Sequence, residues 1–284
     1  MSVFGSTQRH KPGTIRRNST GGDRQVGARR HGARHLGPFY RFAVMTIAPF
    51  MTVWTRRERR NLEILSATYP PNDGVIVAIN HMSWFDPMNV CHTLWDAGRP
   101  PRFMAKEKLF RVPFLGQIMS GAGQIPVFRE SDDPRAAISA AIDAINAGEC
   151  VVVYPEGTMT RDPEYWVMKG RTGAAHLALE TGAPVIPMAQ WGPQEVMGAY
   201  KNEFKILPRK LMRTNVGPPV DLDDFRGKEI TRELLHEATD RIIEAITVLL
   251  AELRGEDAPP DHLDYREWRK AQAGGQPGSA TAST

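Results

Sequence analysis

His81 and Asp86 stand five residues apart in residues 80–87, Asn-His-Met-Ser-Trp-Phe-Asp-Pro, directly after the apolar run 75–79. An imidazole paired with a carboxylate is a general-base unit. The carboxylate fixes the proton on one ring nitrogen and leaves the other free to take a proton from a substrate. Five residues at about 100° each put the two side chains roughly 140° apart on an ideal helix, so a turn has to intervene before they meet. If His81 ends a strand and Ser83 caps a helix whose first turn holds Asp86, the chain folds the carboxylate back onto the ring. The nucleophile would then be the hydroxyl of an acceptor, and neither Cys91 nor Cys150 is required.

Residues 154–162, Tyr-Pro-Glu-Gly-Thr-Met-Thr-Arg-Asp, form a second constellation, again directly after a strand-like run. Gly157 allows a tight turn, Thr158 offers a hydroxyl and Arg161 a guanidinium. Phosphate is held by amides that approach closely and by guanidinium groups that bond it in a fork. Glu156 has two readings here, a bond to the acceptor or a brace for the turn.

The elements that must position these residues alternate. Residues 75–80, 102–105, 150–154 and 184–190 read as buried strands, and 86–97, 134–147 and 171–182 as helices, the last two stopping at Gly148 and Gly182. Leu235, Ala238, Ile242, Ile246, Leu249 and Leu253 keep helical spacing, so 231–253 is predicted to be a long amphipathic helix closing the domain. The fold class that follows is α/β, a largely parallel central sheet flanked by helices. In such sheets ligands gather outside the carboxyl ends of the strands, so both motifs would face one cleft.

As an ordered pair about seventy residues apart, the two motifs resemble the first and third sequence blocks of the glycerolipid acyltransferase family. Residues 123–130, ending in Phe-Arg-Glu, are similar to the family's second block, and 183–191 to its Pro-rich fourth. The resemblance spans roughly residues 60–220. It implies that His81 is the general base and Asp86 its orienting partner, in a ternary-complex acyl transfer with no acyl-enzyme. It implies a substrate-binding set of Asn80, Ser83, Lys106, Arg129, Glu156, Gly157, Thr158 and Arg161. The family's third block usually reads Glu-Gly-Thr-Arg-Ser, whereas here Met159 stands at the Arg position and Thr160 at the Ser position, with Arg161 two places on. Either Arg161 reaches the same phosphate, or the acceptor is held differently or is not a simple lysophosphatidate. The implied function is a membrane-associated O-acyltransferase moving a fatty acyl group from acyl-CoA or acyl carrier protein to lysophosphatidic acid. The same family also leaves open another lysolipid or glycerol 3-phosphate as acceptor. A thioesterase and a non-catalytic lipid-binding module stand behind these. No metal or cofactor is expected, only the acyl-CoA or acyl-ACP co-substrate. Lys169 and Arg171, ahead of a helix start, add to a cationic cleft suited to a phosphorylated acceptor and a carrier's phosphopantetheine.

Charge and composition bound the rest. The chain has 284 residues, 41% of them hydrophobic, enough for one good core. Residues 1–60 hold 13 Lys or Arg against Asp23 and Glu58, or +11, and the remaining 224 carry 23 against 30, or −7. We therefore expect a disordered basic arm over 1–37, a membrane-interface helix and lead-in over 38–60, an acyltransferase domain over 61–255 and a disordered tail over 256–284. Anionic lipid is the partner the arm suits best, ahead of a merely solvated tail, and nucleic acid is not expected. Residues 38–54 are too short and too interrupted, by Arg41 and Pro49, to cross a bilayer. They would lie in the interface or cover the core of a soluble protein. The corresponding place is the cytoplasmic face of the membrane, peripheral or monotopic. Two cysteines in apolar contexts argue for a reducing compartment. There is no metalloprotease helix, dinucleotide fingerprint or P-loop.

Overall fold

The computed structural model describes residues 37–67, 73–127, 135–200 and 203–274. In chain order the elements are α1 (Pro38–Trp54), β1 (Thr55–Arg60), α2 (Glu63–Ala67), β2 (Val75–Ile79), α3 (Asp86–Asp96) and β3 (Pro101–Lys106). A 3₁₀ turn (Glu107–Arg111) leads to α4 (Leu115–Gly121), β4 (Ile125–Val127), α5 (Arg135–Asn146), β5 (Cys150–Val153) and α6 (Gly173–Thr181). Then come β6 (Val185–Trp191), α7 (Pro193–Val196), β7 (Lys210–Val216), a 3₁₀ turn (Asp223–Phe225), α8 (Arg232–Arg254) and α9 (Tyr265–Gly274).

The seven strands lie in the order β1-β7-β6-β2-β5-β3-β4. Among the described residues only the β6–β7 pair is antiparallel. All residues of β2 and β5 are buried, because both faces of the sheet centre are covered. Side chains alternate between two cores. Ile76, Ala78, Val151 and Val153 pack toward Ala141 of α5, Leu177 of α6 and Ile242 and Ile246 of α8. Val75, Val77, Ile79 and Val152 pack toward Leu65 of α2 and Val90 and Leu94 of α3. Each such aliphatic side chain contributes about 1.5–3 kcal/mol on burial.

The amphipathic stripe anticipated for the closing helix is what α8 buries, with Ala238, Ile242, Ile246, Leu249 and Leu253 all in the core. Thr231 caps its first turn through a bond to the Leu234 N–H, and Gly255 ends it at φ 69°. The four anticipated strands and the helices α3, α5 and α6 are all present. β1, β4 and β7 were not anticipated. β1, Thr-Arg-Arg-Glu-Arg-Arg, carries no apolar alternation because it is an edge strand, where charge is tolerated and protects the edge. The C-terminal segment also differs from expectation: residues 265–274 form α9, where an unstructured tail was expected. The Lys169 N–H donates to the Leu263 carbonyl at 3.0 Å and His262 Nδ1 bonds the Val167 carbonyl at 2.9 Å, so the segment before α9 is tied to the domain.

α1 coincides with the expected interfacial segment. Tyr40, Val44 and Met51 are buried against the domain, while Phe39, Phe42, Met45 and Val53 are exposed. Among the described residues no helix is long and apolar enough to cross a membrane. The basic arm expected over 1–37 lies outside the described residues except for Gly37.

Candidate active site

β2 and β5 run side by side in parallel, Ala78 opposite Val153. Three residues farther along each strand lie His81 and Glu156, so the pairing brings the two motifs to the same carboxyl edge. The His81 N–H donates to Glu156 Oε1 at 2.8 Å, and the Thr160 N–H donates to the His81 carbonyl at 2.7 Å. Glu156 Oε2 accepts the Met168 N–H at 3.1 Å. Both carboxyl oxygens are therefore spent on the backbone, and Glu156 is the brace of the two readings, not a substrate ligand. Burial pushes its carboxyl up to about 8, against the two N–H bonds that favour ionisation.

Between β2 and α3 the chain makes the turn that the spacing of His81 and Asp86 demands. Asp86 is the first residue of α3 and its carboxylate points backward. Oδ2 lies 2.7 Å from His81 Nδ1 and accepts the N–H groups of Met82 at 2.6 Å and Ser83 at 2.8 Å. Asp86 is fully buried, which pushes its carboxyl upward, while the His81 contact and the two backbone N–H groups pull the other way. Three N–H donors on one oxygen is the arrangement an ionised carboxylate requires. An ionised carboxylate can only accept, so the proton between the pair belongs to Nδ1 and Nε2 is the free base. Nε2 has no partner among the described residues, and the His81 side chain is 17% exposed.

The ring of Tyr154 stacks on His81 with centroids 4.1 Å apart, and Phe103 stacks behind Tyr154 at 6.5 Å. This support for the base was missed in the sequence, although Tyr154 directly precedes Pro155-Glu156-Gly157. The signal would have been the in-register pairing of the two strands, which places Tyr154 beside Ile79.

Two expected substrate contacts prove to be structural. Asn80 is buried: Nδ2 donates to the Gln190 carbonyl at 3.1 Å and Oδ1 accepts the Gln190 N–H at 2.9 Å, which extends the β2–β6 pairing past the strand end. Ser83 is not the cap of α3 and is not open to a ligand. Its Oγ donates to the Met197 carbonyl at 2.6 Å and accepts the Phe85 N–H at 2.9 Å, pinning the turn between β2 and α3 to the chain after α7. α3 has no side-chain cap: the Asp86 N–H donates to the Ser83 carbonyl and the Met88 N–H to the Phe85 carbonyl.

Gly157 has φ 70°, and a Cβ there would stand 2.7 Å from Arg171 Cδ, so the turn demands glycine. Thr158 is half-buried beside it. Met159, at the family's Arg position, is buried, and its carbonyl accepts the Tyr200 hydroxyl at 2.9 Å. The Arg161 guanidinium lies 3.4 Å from the centre of the Tyr200 ring and 4.8 Å from that of Trp268 in α9. Arg161 is thus a clasp between the turn and two later segments, each stack worth about 0.5–2 kcal/mol. Lys106 is exposed at the carboxyl end of β3. Two strand spacings of about 4.8 Å separate it from β2, which keeps it on the same edge as His81. Arg129 lies outside the described residues.

Residues 56–191 match the family model described as Acyltransferase. Over that segment, just under half of its length, the chain is similar to the acyltransferases. The chain is 29% identical over 159 residues to the chloroplastic 1-acyl-sn-glycerol-3-phosphate acyltransferase of Brassica napus, over 55% of this chain and 42% of the relative. It is 29% identical over 159 residues to the 1-acyl-sn-glycerol-3-phosphate acyltransferase of Bacillus subtilis, over 55% of this chain and 71% of the relative. It is also 29% identical over 119 residues to the lyso-ornithine lipid O-acyltransferase of Pseudomonas aeruginosa, over 42% of this chain and 43% of that one. The Brassica and Pseudomonas proteins are thus matched over less than half of their length. The crystal structure of the 1-acyl-sn-glycerophosphate acyltransferase from Thermotoga maritima superposes with a TM-score of 0.57 at 22% identity, over 78% of this chain and 80% of that one. The chain shares its fold.

Proposed function

We propose that the protein transfers a fatty acyl group from an acyl thioester, acyl-CoA or acyl-ACP, to a hydroxyl of lysophosphatidic acid, without metal or cofactor. The observation that carries this is the 2.7 Å contact of His81 Nδ1 with an Asp86 carboxylate held by two backbone N–H groups. Nε2 takes the proton of the acceptor hydroxyl as its oxygen bonds the thioester carbonyl carbon. Asp86 steadies the resulting imidazolium. The carbon–sulfur bond then breaks, and the leaving thiolate recovers the proton from Nε2. The acceptor is a lipid, and the exposed apolar face of α1 supports work at the cytoplasmic membrane surface.

A second reading concerns the acceptor. Met159 supplies no cation where the family usually has Arg, and Arg161 is stacked between two rings. A lysolipid with a different headgroup, as in the name of the Pseudomonas relative, is supported by that substitution.

The test offers the purified protein palmitoyl-CoA with lysophosphatidic acid, lyso-ornithine lipid and glycerol 3-phosphate, following thiol release and lipid product. His81→Ala is expected to reduce acceptor-dependent release on the order of 10³-fold. Thiol release that ignores every acceptor would identify a thioesterase instead.

A further inference from the structure

A cleft of about 660 Å³ opens beside the Glu156 turn, between residues 169–172, the first turns of α8 and the start of α9. Its walls carry Lys169, Arg171, Arg232, His236 and Arg266, with the ring of Tyr265 among them. Two carboxyl groups also line it. Glu156 is committed to the N–H groups of His81 and Met168, and Asp264 lies 3.9 Å from Lys169 Nζ. Among the described residues neither Arg171 nor Arg232 forms an ion pair, so the cationic excess is not neutralised within the fold. Arg232 is moreover the first residue of α8, the end where a helix dipole disfavours a cation and favours an anion.

The aromatic wall is built in. Tyr265 stacks on Trp268 at 5.9 Å and 18°, and Trp268 in turn receives the Arg161 guanidinium. The cleft is therefore clasped to the same turn that braces His81, with Glu156 common to both. A ligand that fits has several phosphate charges and a flat ring, and Glu156, which lines the cleft, accepts the His81 N–H.

We propose that this cleft holds the 3′-phosphoadenosine diphosphate end of an acyl-coenzyme A donor, phosphates on the Arg171–Arg232 side and adenine against Tyr265. The inference rests on the acyl-transfer reading and selects coenzyme A as the carrier. The α8 and α9 walls lie outside the segment 56–191 that matches the family.

The test is calorimetric titration of the full chain with adenosine 3′,5′-bisphosphate, a probe that carries no acyl group. Binding is expected, at least tenfold weaker in Arg171→Glu and in Arg232→Glu. In kinetics the probe is expected to compete with palmitoyl-CoA and not with the lysolipid. Arg232→Glu is expected to lower the ratio of kcat/KM for palmitoyl-CoA to that for the nucleotide-free N-acetylcysteamine thioester by about tenfold or more. No binding to the wild type, binding by both variants as tight as by the wild type, or competition with the lysolipid would each overturn the site. Binding is read without turnover, so a protein that binds the probe as described yet transfers no acyl group overturns the reaction and supports the site.

Discussion

His81 owes its readiness to accept a proton to one oxygen. Asp86 Oδ2 receives the ring N–H and two backbone N–H groups, while Oδ1 has no hydrogen-bond partner among the described residues. Asp86→Asn keeps the size but presents either a carbonyl that accepts more weakly or an amide that repels Nδ1–H. We expect kcat to fall on the order of 10²–10⁴-fold with little change in acceptor KM, measured by thiol release. Glu156 gives a pH signature. Its carboxyl sits at about 8 when folded and ionises at its ordinary value of 4.5 when unfolded, so the unfolded chain binds fewer protons between those values. Stability should therefore fall as pH rises from about 4.5 to 8. Glu156→Gln removes the titrating group and should flatten this part of the thermal midpoint profile, at a cost of about 1–3 kcal/mol, since one of the two N–H groups loses its acceptor. An unchanged slope in the variant would assign the pH dependence elsewhere.

At the scale of elements, the turn after β5 matters more than any side chain it carries. Gly157 in its left-handed conformation lets Thr160 return to the His81 carbonyl and lets Arg171 pass across the turn. Gly157→Ala brings about 1–2 kcal/mol of backbone strain and a contact that Arg171 must yield to. Lower stability in urea together with reduced activity is expected, and a variant matching wild type in both would show the turn to be tolerant. The motifs of the catalytic elements were legible because they are local: strand, turn and helix start follow each other within a few residues. β1 and β7 were not legible, since an edge strand of arginines and a strand of mixed polarity acquire their conformation from the partner strands. α9 was hidden for a similar reason. What fixes it is the Arg161 guanidinium over Trp268, together with the bonds of His262 Nδ1 to the Val167 carbonyl and of the Lys169 N–H to the Leu263 carbonyl just before it.

For the whole molecule, the composition of residues 1–60 is basic and the outer face of α1 is apolar. Residues 1–60 carry +11 by formal charge, and Phe42 and Met45 are 55% and 75% exposed. Under the proposed function both would favour an anionic bilayer, one through charge and one through insertion. Phe42→Asp with Met45→Asp should weaken binding to phosphatidylglycerol vesicles at least tenfold while leaving the thermal midpoint almost unaltered, and raised salt should weaken the wild type too. Sedimentation with vesicles decides this, and equal pelleting of variant and wild type would refute a membrane role for the helix. What the sequence determined by itself is the alternation of buried strands and helices, the two motifs at strand ends and the pairing of His81 with Asp86. These depend on periodicity and on contacts a few residues apart. Only the tertiary structure decided which motif residues are free for a ligand. Asn80, Ser83, Glu156 and Arg161 all have the chemistry of binding residues, yet each is consumed by a partner 12 to 114 positions away, and such partners are fixed by packing of the sheet and not by local spacing.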